Sequence, residues 1–379
     1  MTKDLGVGII GCGNISTAYL TLAPLFRGLE VRAVTDLNMD VARAQADKFK
    51  VKALGMEELL SSPDIDVVVN LTIPDAHFPV TMAAIEAGKH VYSEKPLALS
   101  VADGIKMRDA AAARNLTVGC APDTILGGSH QLARKLIDEG DVGRITAGTA
   151  HVMSHGMEHW HPNPDFFFQP GAGPVLDVGP YYVANLINLV GPVARVAALS
   201  SSATPTRTIL SEPRKGEEIP VGTPTNVHAL LQFENGATIT LSASWDIWAH
   251  RHAPMELYGT EGSLFVPDPN FFGGAVEMAG RDGKIALVKE WDHPFSKPND
   301  DRHAKPQANY RTAGLADMAL AILEGRDPRC SLERTLHGVD VMTSILASGE
   351  SGSFVEVGTT CTRPEPLGPD EARALLRDG

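Results

Sequence analysis

Four short stretches of this sequence combine residue types and spacings that could do chemistry. In the first, GVGIIGCGNIS at residues 6–16, an apolar run is followed by a glycine turn and the start of a helix. Gly11 permits a tight turn, and Gly13 lets a diphosphate approach the helix N-terminus, where free N–H groups favour an anion. We therefore predict a dinucleotide-binding turn with contacts from Gly11, Gly13, Asn14 and Ile15.

An acidic residue follows the next apolar run at the spacing that this kind of site requires. Asp36 comes directly after residues 30–35, about 20 residues beyond the glycines, where its carboxylate can accept hydrogen bonds from ribose hydroxyls. The same carboxylate repels a 2′-phosphate, which favours NAD over NADP as the cofactor. The alternative is an ordinary glycine turn with an unrelated surface acid.

The second stretch is Glu94-Lys95-Pro96, a charged pair that leaves a predicted buried strand. Ligands of open α/β sheets bind at the carboxyl ends of the strands, and catalytic loops gather there. A lysine in that position can stabilise the negative charge of a developing alkoxide. The alternative is a solvated Glu-Lys pair at the end of a strand.

Asp177 and Tyr181 form the third group, four residues apart where a helix is predicted to begin with Pro180 in its first turn. That spacing lets both side chains lie on one face. A tyrosine beside a lysine and a dinucleotide is a plausible acid/base, because a nearby cation favours the phenolate. The alternative is that Tyr181 is a core aromatic residue whose hydroxyl has a hydrogen-bond partner.

The fourth stretch, HGMEHWHP from His155, matches the H-x-x-E-H motif of inverted zinc proteases. That chemistry needs both histidines on one face of a helix, and the glycine and prolines here interrupt a helix, so we predict no metal site. We expect the segment to line the substrate pocket instead, with Trp160 stacking on a ring. The partners of the substrate hydroxyls would then be Glu158, His159 or His161. The alternative is a plain surface loop.

Strands and helices must bring these residues together in the folded chain. Over the first third of the chain, short apolar runs alternate with amphipathic stretches of helical length, which predicts parallel strands joined by crossover helices. The predicted strands are 6–10, 30–35, 66–71, 90–93 and 116–120. The predicted helices are 41–49, 56–61, 78–87 and 101–114, and a further helix at 129–139 follows the last strand. The pattern indicates an α/β unit, a doubly wound parallel Rossmann sheet over residues 1–122.

The remaining residues, 123–379, change to alternating strands with tight turns. Asn235-Gly236 between two such segments is the strongest short-range signal for a hairpin. The predicted hairpin strands are 227–233 with 237–244, and 255–259 with 263–266. The predicted late helices are 310–324 and 332–347, and the predicted loops are 204–224 and 293–306. We expect an α+β domain with a large, mainly antiparallel open sheet.

Charge and composition exclude several classes of partner. The 379 residues include 33 Lys and Arg against 46 Asp and Glu, a net charge of −13 that disfavours nucleic acid or an anionic membrane. The 4 cysteines are scattered without a CxxC pair, and no apolar run reaches the roughly 18 residues of a membrane span. The start of the sequence lacks a basic region followed by an apolar one, so we expect a cytoplasmic protein.

The order of the motifs along the chain resembles that of one known family. The matching residues are Gly11-x-Gly13, Thr72-Ile73-Pro74-x-x-His77, Glu94-Lys95-Pro96 and Asp177-x-Gly179. They resemble the glucose-fructose oxidoreductase, inositol dehydrogenase and rhizopine-catabolism (Gfo/Idh/MocA) family. The resemblance implies an N-terminal Rossmann domain and a C-terminal domain whose open sheet builds homodimers or homotetramers. It also implies pyridine-nucleotide-dependent oxidoreduction of a sugar, polyol or related carbonyl compound.

The resemblance also implies roles for single residues. Lys95 would be the catalytic lysine, and Glu94 would contact the ribose or nicotinamide of the cofactor. The further implied cofactor contacts are Thr72, Pro74 and His77. In the family pattern GGGxLxDxGxHxxD, this chain has Tyr181 in place of the histidine and Ala184 in place of the final acid. Some relatives, including dihydrodiol dehydrogenase and glucose-fructose oxidoreductase, resemble this chain in having tyrosine there.

Together these residues predict an NAD(P)-dependent dehydrogenase of a sugar, polyol, inositol or related carbohydrate. Tyr181, aided by Lys95, would remove the proton of the substrate hydroxyl, and Asp177 would orient Lys95 or the substrate. One alternative is an NAD-dependent glycosidase that oxidises its substrate transiently and regenerates its cofactor in each turnover. Another is a non-catalytic, NAD-bound sensor.

The position of Asp36 provides a test of cofactor choice. We expect NAD to bind at least roughly tenfold more tightly than NADP, and Asp36→Ala to narrow that difference, because the carboxylate repels a 2′-phosphate. Calorimetric titration of the unmodified chain and the variant with both cofactors measures the two affinities. Equal affinities in the unmodified chain would contradict the role assigned to Asp36.

Overall fold

The computed structural model describes residues 4–289, 291–301 and 306–377, and its N-terminal part is built on a six-stranded parallel sheet. The strands are β1 (Leu5–Ile10), β2 (Leu29–Thr35), β3 (Lys52–Ala53), β4 (Val67–Asn70), β5 (His90–Ser93) and β6 (Val118–Cys120). The helices are α1 (Asn14–Leu22), α2 (Met39–Phe49), α3 (Met56–Ser61), α4 (Pro74–Glu86), α5 (Val101–Ala112) and α6 (Gly128–Glu139). The order β3-β2-β1-β4-β5-β6 reverses between β1 and β4, the switch point at which such sheets bind ligands. The predicted doubly wound sheet is confirmed.

Local sequence explains why these elements begin and end where they do. All four residues of β4 are buried, as expected of a parallel strand with helices on both faces. The side chains of Asn38 and Ser100 cap α2 and α5 by accepting backbone N–H groups. Gly140 follows α6 with φ +83°, a conformation that glycine adopts without steric cost. The carboxyl ends of the strands therefore meet at one edge, where the predicted site residues lie.

The rest of the chain forms a nine-stranded sheet, a separate hairpin and five helices among the described residues. The strands are β7 (Ile145–Met153), β8 (Val193–Ser201), β9 (Thr206–Thr208), β10 (Glu218–Pro220), β11 (Asn226–Phe233), β12 (Thr238–Ser244), β13 (Met255–Gly259), β14 (Ser263–Val266), β15 (Glu277–Ala279), β16 (Ile285–Leu287) and β17 (Val355–Glu356). The helices are α7 (Gly173–Asp177), α8 (Gly179–Leu189), α9 (Ala313–Glu324), α10 (Leu332–Ser351) and α11 (Pro369–Ala374). None of the described helices has the length and apolarity needed to cross a membrane.

The nine-stranded sheet is mainly antiparallel, as predicted, and its two faces differ. Its order is β16-β15-β14-β13-β7-β12-β11-β8-β17, and β12 with β7 is its parallel pair. One face packs on α8 and α10, where Leu186 and Ile345 share a core with Leu231. Because side chains alternate along a strand, the opposite face carries Leu199 and Leu230, which are 73% and 46% exposed.

Several boundaries differ from the predictions. The predicted loop 204–224 contains the hairpin of β9 and β10, because Ile209 and Ile219 bury against Trp245 despite the prolines nearby. The predicted helix at 310–324 starts only at Ala313, and α10 continues to Ser351. The strands β3, β8 and β15 to β17 and the helix α11 were not predicted. Part of the predicted loop 293–306 lies outside the described residues.

Late segments of the chain complete the core of the N-terminal sheet. Leu315 and Met318 of α9, together with Leu375, belong to the same buried cluster as Val7 of β1 and Val69 of β4. The division of the chain at residue 122 remains a prediction, since this core combines residues from both of its sides.

A buried carboxylate at α9 provides a test of this packing. Asp317 is fully buried and accepts the Arg329 N–H at 2.6 Å, Arg329 Nη1 at 2.6 Å and Arg326 Nη2 at 2.9 Å. We expect Asp317→Ala to lower the free energy of unfolding by about 3 kcal/mol, because it leaves partly buried guanidinium groups uncompensated. Chemical denaturation measures this. The matched control, Asp40→Ala, removes an exposed partner of Arg43 and should leave the midpoint unchanged. Equal denaturation midpoints for the unmodified chain, Asp317→Ala and Asp40→Ala would contradict the prediction.

Candidate active site

The glycine turn between β1 and α1 leaves room for an anion at the end of a helix. Gly11 has φ +101°, and a Cβ atom there would lie 2.6 Å from the carbonyl oxygen of Leu71. A Cβ atom at Gly13 would meet no described atom within 4 Å, so the N-terminus of α1 opens onto free space. Within the described residues, no side chain caps α1 and its first turn carries no carboxylate. The turn fits a diphosphate, next to the exposed Asn14 and the half-buried Ile15.

Asp36 lies beside this turn at the carboxyl end of β2. One carboxylate oxygen accepts the N–H of Cys12 at 2.8 Å, and the other accepts the N–H of Asn38 at 2.9 Å. Each oxygen keeps a further lone pair for a ribose hydroxyl. The arrangement fits the adenosine end of a dinucleotide.

The basic residues nearest to Asp36 in the sequence have other partners. Arg32 donates from Nη1 to the carbonyl oxygen of Asp64 at 2.7 Å, at the amino-terminal edge of the sheet. Arg43 pairs with Asp40 at 2.7 Å. With both arginines bonded elsewhere, the charge at this end of β2 is that of a carboxylate, which suits a ribose hydroxyl better than a phosphate.

The loop after β4 is held by buried polar contacts. Thr72 donates its hydroxyl to Asn70 Oδ1 at 2.7 Å, and Pro74 is the first residue of α4. The buried ring of His77 has Nδ1 2.6 Å from the carbonyl oxygen of Pro96 and Nε2 3.0 Å from that of Thr72. The cofactor contact expected of His77 remains a prediction. His77 ties this loop to the loop after β5.

Glu94 leaves β5 with both carboxylate oxygens engaged. Oε1 accepts the hydroxyl of Tyr19 at 3.0 Å, and Oε2 accepts the N–H of Lys95 at 3.1 Å. Burial, followed by the charge of Glu94, raises the pKa of Tyr19 well above its ordinary value, so Tyr19 is a neutral donor. Glu94 is half-buried at the carboxyl edge of the sheet, and its contact with the cofactor remains a prediction.

Lys95, which follows β5, and Asp177, the last residue of α7, form an ion pair. Lys95 Nζ donates to Asp177 Oδ1 at 2.9 Å and to the carbonyl oxygen of Asp177 at 2.5 Å. The two side chains keep 17% and 22% of their surface exposed. Burial lowers the pKa of Lys95, but Asp177 and then Tyr181 outweigh it and raise the pKa above its ordinary value. Lys95 is therefore an ammonium cation throughout the neutral range.

Tyr181 is half-buried next to this pair, and a second cation faces it. Lys95 Nζ lies 5.4 Å from the centroid of the Tyr181 ring, and the guanidinium carbon of Arg311 lies 5.8 Å from the same centroid. The sequence analysis missed Arg311, because no local motif marks an arginine just before α9. Both distances are within the range of cation–π attraction.

The segment from His155 to His161 is irregular, and its residues have different surroundings. Glu158 is buried, and its Oε1 accepts from Arg207 Nη1 at 3.0 Å, so the substrate contact predicted for it is untested. Trp160 is 56% exposed and His159 is also exposed. His161 packs edge-on against Trp160, with ring centroids 5.3 Å apart. A substrate contact by these three residues remains a prediction.

The wall behind Lys95 is apolar. A cavity of about 40 Å³ lies there, and the residues around it include Ala184, Cys120 and Met342. It has the size of one or two water molecules, too small for a sugar ring. Ala184, where the family pattern has an acid, therefore contributes methyl surface to this wall.

Comparisons with known proteins agree with this geometry. Residues 5–121 match the model described as "Oxidoreductase family, NAD-binding Rossmann fold", and residues 130–265 match the "GFO/IDH/MocA C-terminal domain". Levoglucosan dehydrogenase of Pseudarthrobacter phenanthrenivorans is 30% identical over 78% of this chain and 83% of its own length. 1,5-Anhydro-D-fructose reductase of Ensifer adhaerens is 28% identical over 93% of this chain and 98% of its own length.

A solved structure resembles the whole chain. A levoglucosan dehydrogenase in complex with NADH and levoglucosan superposes with a TM-score of 0.79 at 25% identity, covering 94% of this chain and 100% of that one. The match spans both sheets in order. The chain therefore belongs to the Gfo/Idh/MocA family of oxidoreductases and has that family's NAD-binding Rossmann fold over residues 5–121.

Proposed function

We propose that this chain is an NAD-dependent dehydrogenase that acts on a CH–OH group of a sugar, polyol, inositol or related carbohydrate. The observation that carries the proposal is the contact of Lys95 with Asp177, with the Tyr181 ring beside it, at the carboxyl edge of the Rossmann sheet. Bound NAD would supply the hydride acceptor or, as NADH, the donor. The residues suited to hold it are Gly11, Gly13, Asn14, Ile15, Asp36, Thr72, Pro74 and Glu94.

The protein's own groups would handle the proton. Tyr181, as phenolate, would accept the proton of the substrate hydroxyl, because it is the acid/base group placed against two cations. Lys95 stays protonated, so its part would be to stabilise the phenolate and the developing alkoxide rather than to act as the base. Asp177 would hold the ammonium in place through two contacts.

The relatives support a carbohydrate as substrate. The two reported above are named for levoglucosan and 1,5-anhydro-D-fructose, both cyclic compounds rich in hydroxyl groups. The exposed Trp160 is a surface on which such a ring could stack. Cyclic polyols and anhydrosugars are therefore the first compounds to test.

A substrate panel tests the activity. Aldoses, polyols, inositols, uronates and levoglucosan are incubated with NAD or NADP, and the absorbance of the reduced cofactor is followed. The proposal expects net reduction of NAD by at least one compound. Consumption of a glycoside without net NADH would support the glycosidase alternative, and NAD binding without turnover of any compound would support the sensor.

Lys95 and Tyr181 are expected to act as one unit. Lys95→Met and Tyr181→Phe should each lower kcat by roughly 10² to 10⁴, because each removes part of a positioned acid/base pair, while NAD affinity changes little. The double variant should be little worse than the more damaged single variant. Steady-state kinetics and calorimetry measure both effects.

The matched control for this pair is Lys106→Met, which removes an exposed lysine that also pairs with an aspartate and lies 5.3 Å from an aromatic ring. Its kcat should equal that of the unmodified chain. Near-normal turnover by Tyr181→Phe would contradict the acid/base role of Tyr181 and favour its being a packing residue.

We also propose that the open face of the nine-stranded sheet joins copies of this chain into a homodimer or homotetramer. The support is the row of exposed side chains on that face, among them Leu199 and Leu230 on adjacent strands. Apolar side chains of this size on a flat sheet favour association.

Carboxylates introduced on this face should weaken the contact between copies of the chain. We expect light scattering to find a dimer or tetramer for the unmodified chain and a smaller species for the double variant Leu199→Glu/Leu230→Glu, because the carboxylates would be desolvated in the contact. Leu210→Glu, at a leucine that is 48% exposed outside the sheet, is the matched control. A monomeric unmodified chain would contradict this proposal.

A further inference from the structure

The backbone around Arg311 is held by a buried carboxylate that comes from the end of the Rossmann sheet. Asp123, after β6, accepts the N–H groups of Thr312 and Gly314, each at 3.0 Å. Thr312 has φ +134°, which is rare for a β-branched residue and costs roughly 1 to 3 kcal/mol. A Cβ atom at Gly314 would overlap the hydroxyl of Tyr92. The segment that carries Arg311 is therefore kept in an unfavourable conformation by its surroundings.

The side chain of Arg311 is anchored from the other sheet. Its Nη2 donates to Asn270 Oδ1 at 3.0 Å and to the carbonyl oxygen of Asn270 at 3.2 Å. The N–H of Asn270 donates in turn to Asp268 Oδ1 at 3.0 Å. The anchor is neutral, so it fixes the guanidinium without cancelling its charge, unlike the carboxylate that holds Lys95.

The two cations near Tyr181 are thus fixed independently. Lys95 is held by Asp177, and Arg311 is held by Asn270. The charged groups that act on these two cations, besides Tyr181, are Glu94, Asp123 and Asp177. Burial lowers the pKa of Arg311, but Tyr181, then Asp123 and Glu94, outweigh it and raise the pKa above its ordinary value. Arg311 is a permanent cation.

We propose that Arg311 is a positioning residue that stabilises the phenolate of Tyr181 as the second of two cations, and that Asn270 holds it there. The inference rests on the proposed function. The ammonium of Lys95 is paired with the Asp177 carboxylate, whereas the guanidinium of Arg311 is held by the uncharged Asn270 and lies beside the Tyr181 ring. Arg311 would therefore stabilise the anionic form of Tyr181, while Lys95 stabilises the substrate oxygen that loses its proton.

Kinetics on a compound found in the panel provide the first test. Arg311→Met should lower kcat roughly tenfold or more and shift the acidic limb of the kcat profile for oxidation upward by about one pH unit, because the phenolate loses a cation within about 6 Å. KM should change little. Arg311→Lys keeps the charge, so its kcat and the position of its acidic limb should be close to those of the unmodified chain. Asn270→Ala should shift the acidic limb upward by less than Arg311→Met does.

The matched control is Lys48→Met, since Lys48 Nζ also lies over an aromatic ring, 5.0 Å from the centroid of Phe49, but at the end of α2. It should behave like the unmodified chain. An increase in KM alone for Arg311→Met would overturn the proposal and make Arg311 a substrate ligand. An unshifted profile in both Arg311→Met and Asn270→Ala would also overturn it.

A second measurement needs no substrate. The tyrosinate absorbance that disappears on Tyr181→Phe is followed against pH, in the unmodified chain and in the Arg311→Met chain. The proposal expects the midpoint pH of this absorbance change to be higher in the Arg311→Met chain. The same midpoint pH in both chains would overturn it. A shifted signal in a chain that oxidises no compound of the panel would leave the inference about Arg311 standing and refute the proposed activity.

Discussion

The contact between the Lys95 ammonium and Asp177 depends on two sheets being held at a fixed distance. Lys95 leaves the parallel sheet after β5, and Asp177 ends α7 beside the antiparallel sheet. A hydrogen bond tolerates errors of only a few tenths of an ångström, so the packing between the sheets has to be rigid. Helix α10 joins the two sheets, since Leu336 packs in a core of the parallel sheet and Ile345 packs in the core of the antiparallel sheet. The His77 ring keeps the loop after β5 against the loop after β4. The site is thus a product of the whole fold.

The charges of the site are nearly balanced, and the balance is local. Carboxylates and cations here are partly or fully buried, and each unpaired buried charge would cost several kcal/mol. Asp177 compensates Lys95, and two backbone N–H groups stabilise the carboxylate of Asp123 in part, although burial still raises its pKa. Tyr181 is the group in this arrangement that has cations around it and no direct anionic partner among the described contacts. The surroundings therefore concentrate positive charge at that one ring.

The parts of the molecule that follow from the sequence are those encoded within short stretches. The glycine turn, the acid at Asp36 and the hairpin at Asn235-Gly236 each occupy a few neighbouring residues, and the structure has all of them where expected. Lys95 could be placed because parallel strands end at one edge. Arg311 and the pairing of Glu158 with Arg207 could not be foreseen, because each depends on contacts between segments far apart in the chain. The β9–β10 hairpin was missed because its prolines suggested a loop, while its stability comes from burial against Trp245.

The packing of late segments on the Rossmann sheet limits how this chain can be recombined with its relatives. Phe26 packs edge-on against Phe295 with ring centroids 5.9 Å apart, and its backbone pairs with Leu376. A chimera that joined residues 1–122 of this chain to the remainder of a relative would replace half of that apolar interface with side chains of other shapes. Exchange of cofactor specificity within the family is therefore easier by substitution at the end of β2 than by transfer of a nucleotide-binding cassette.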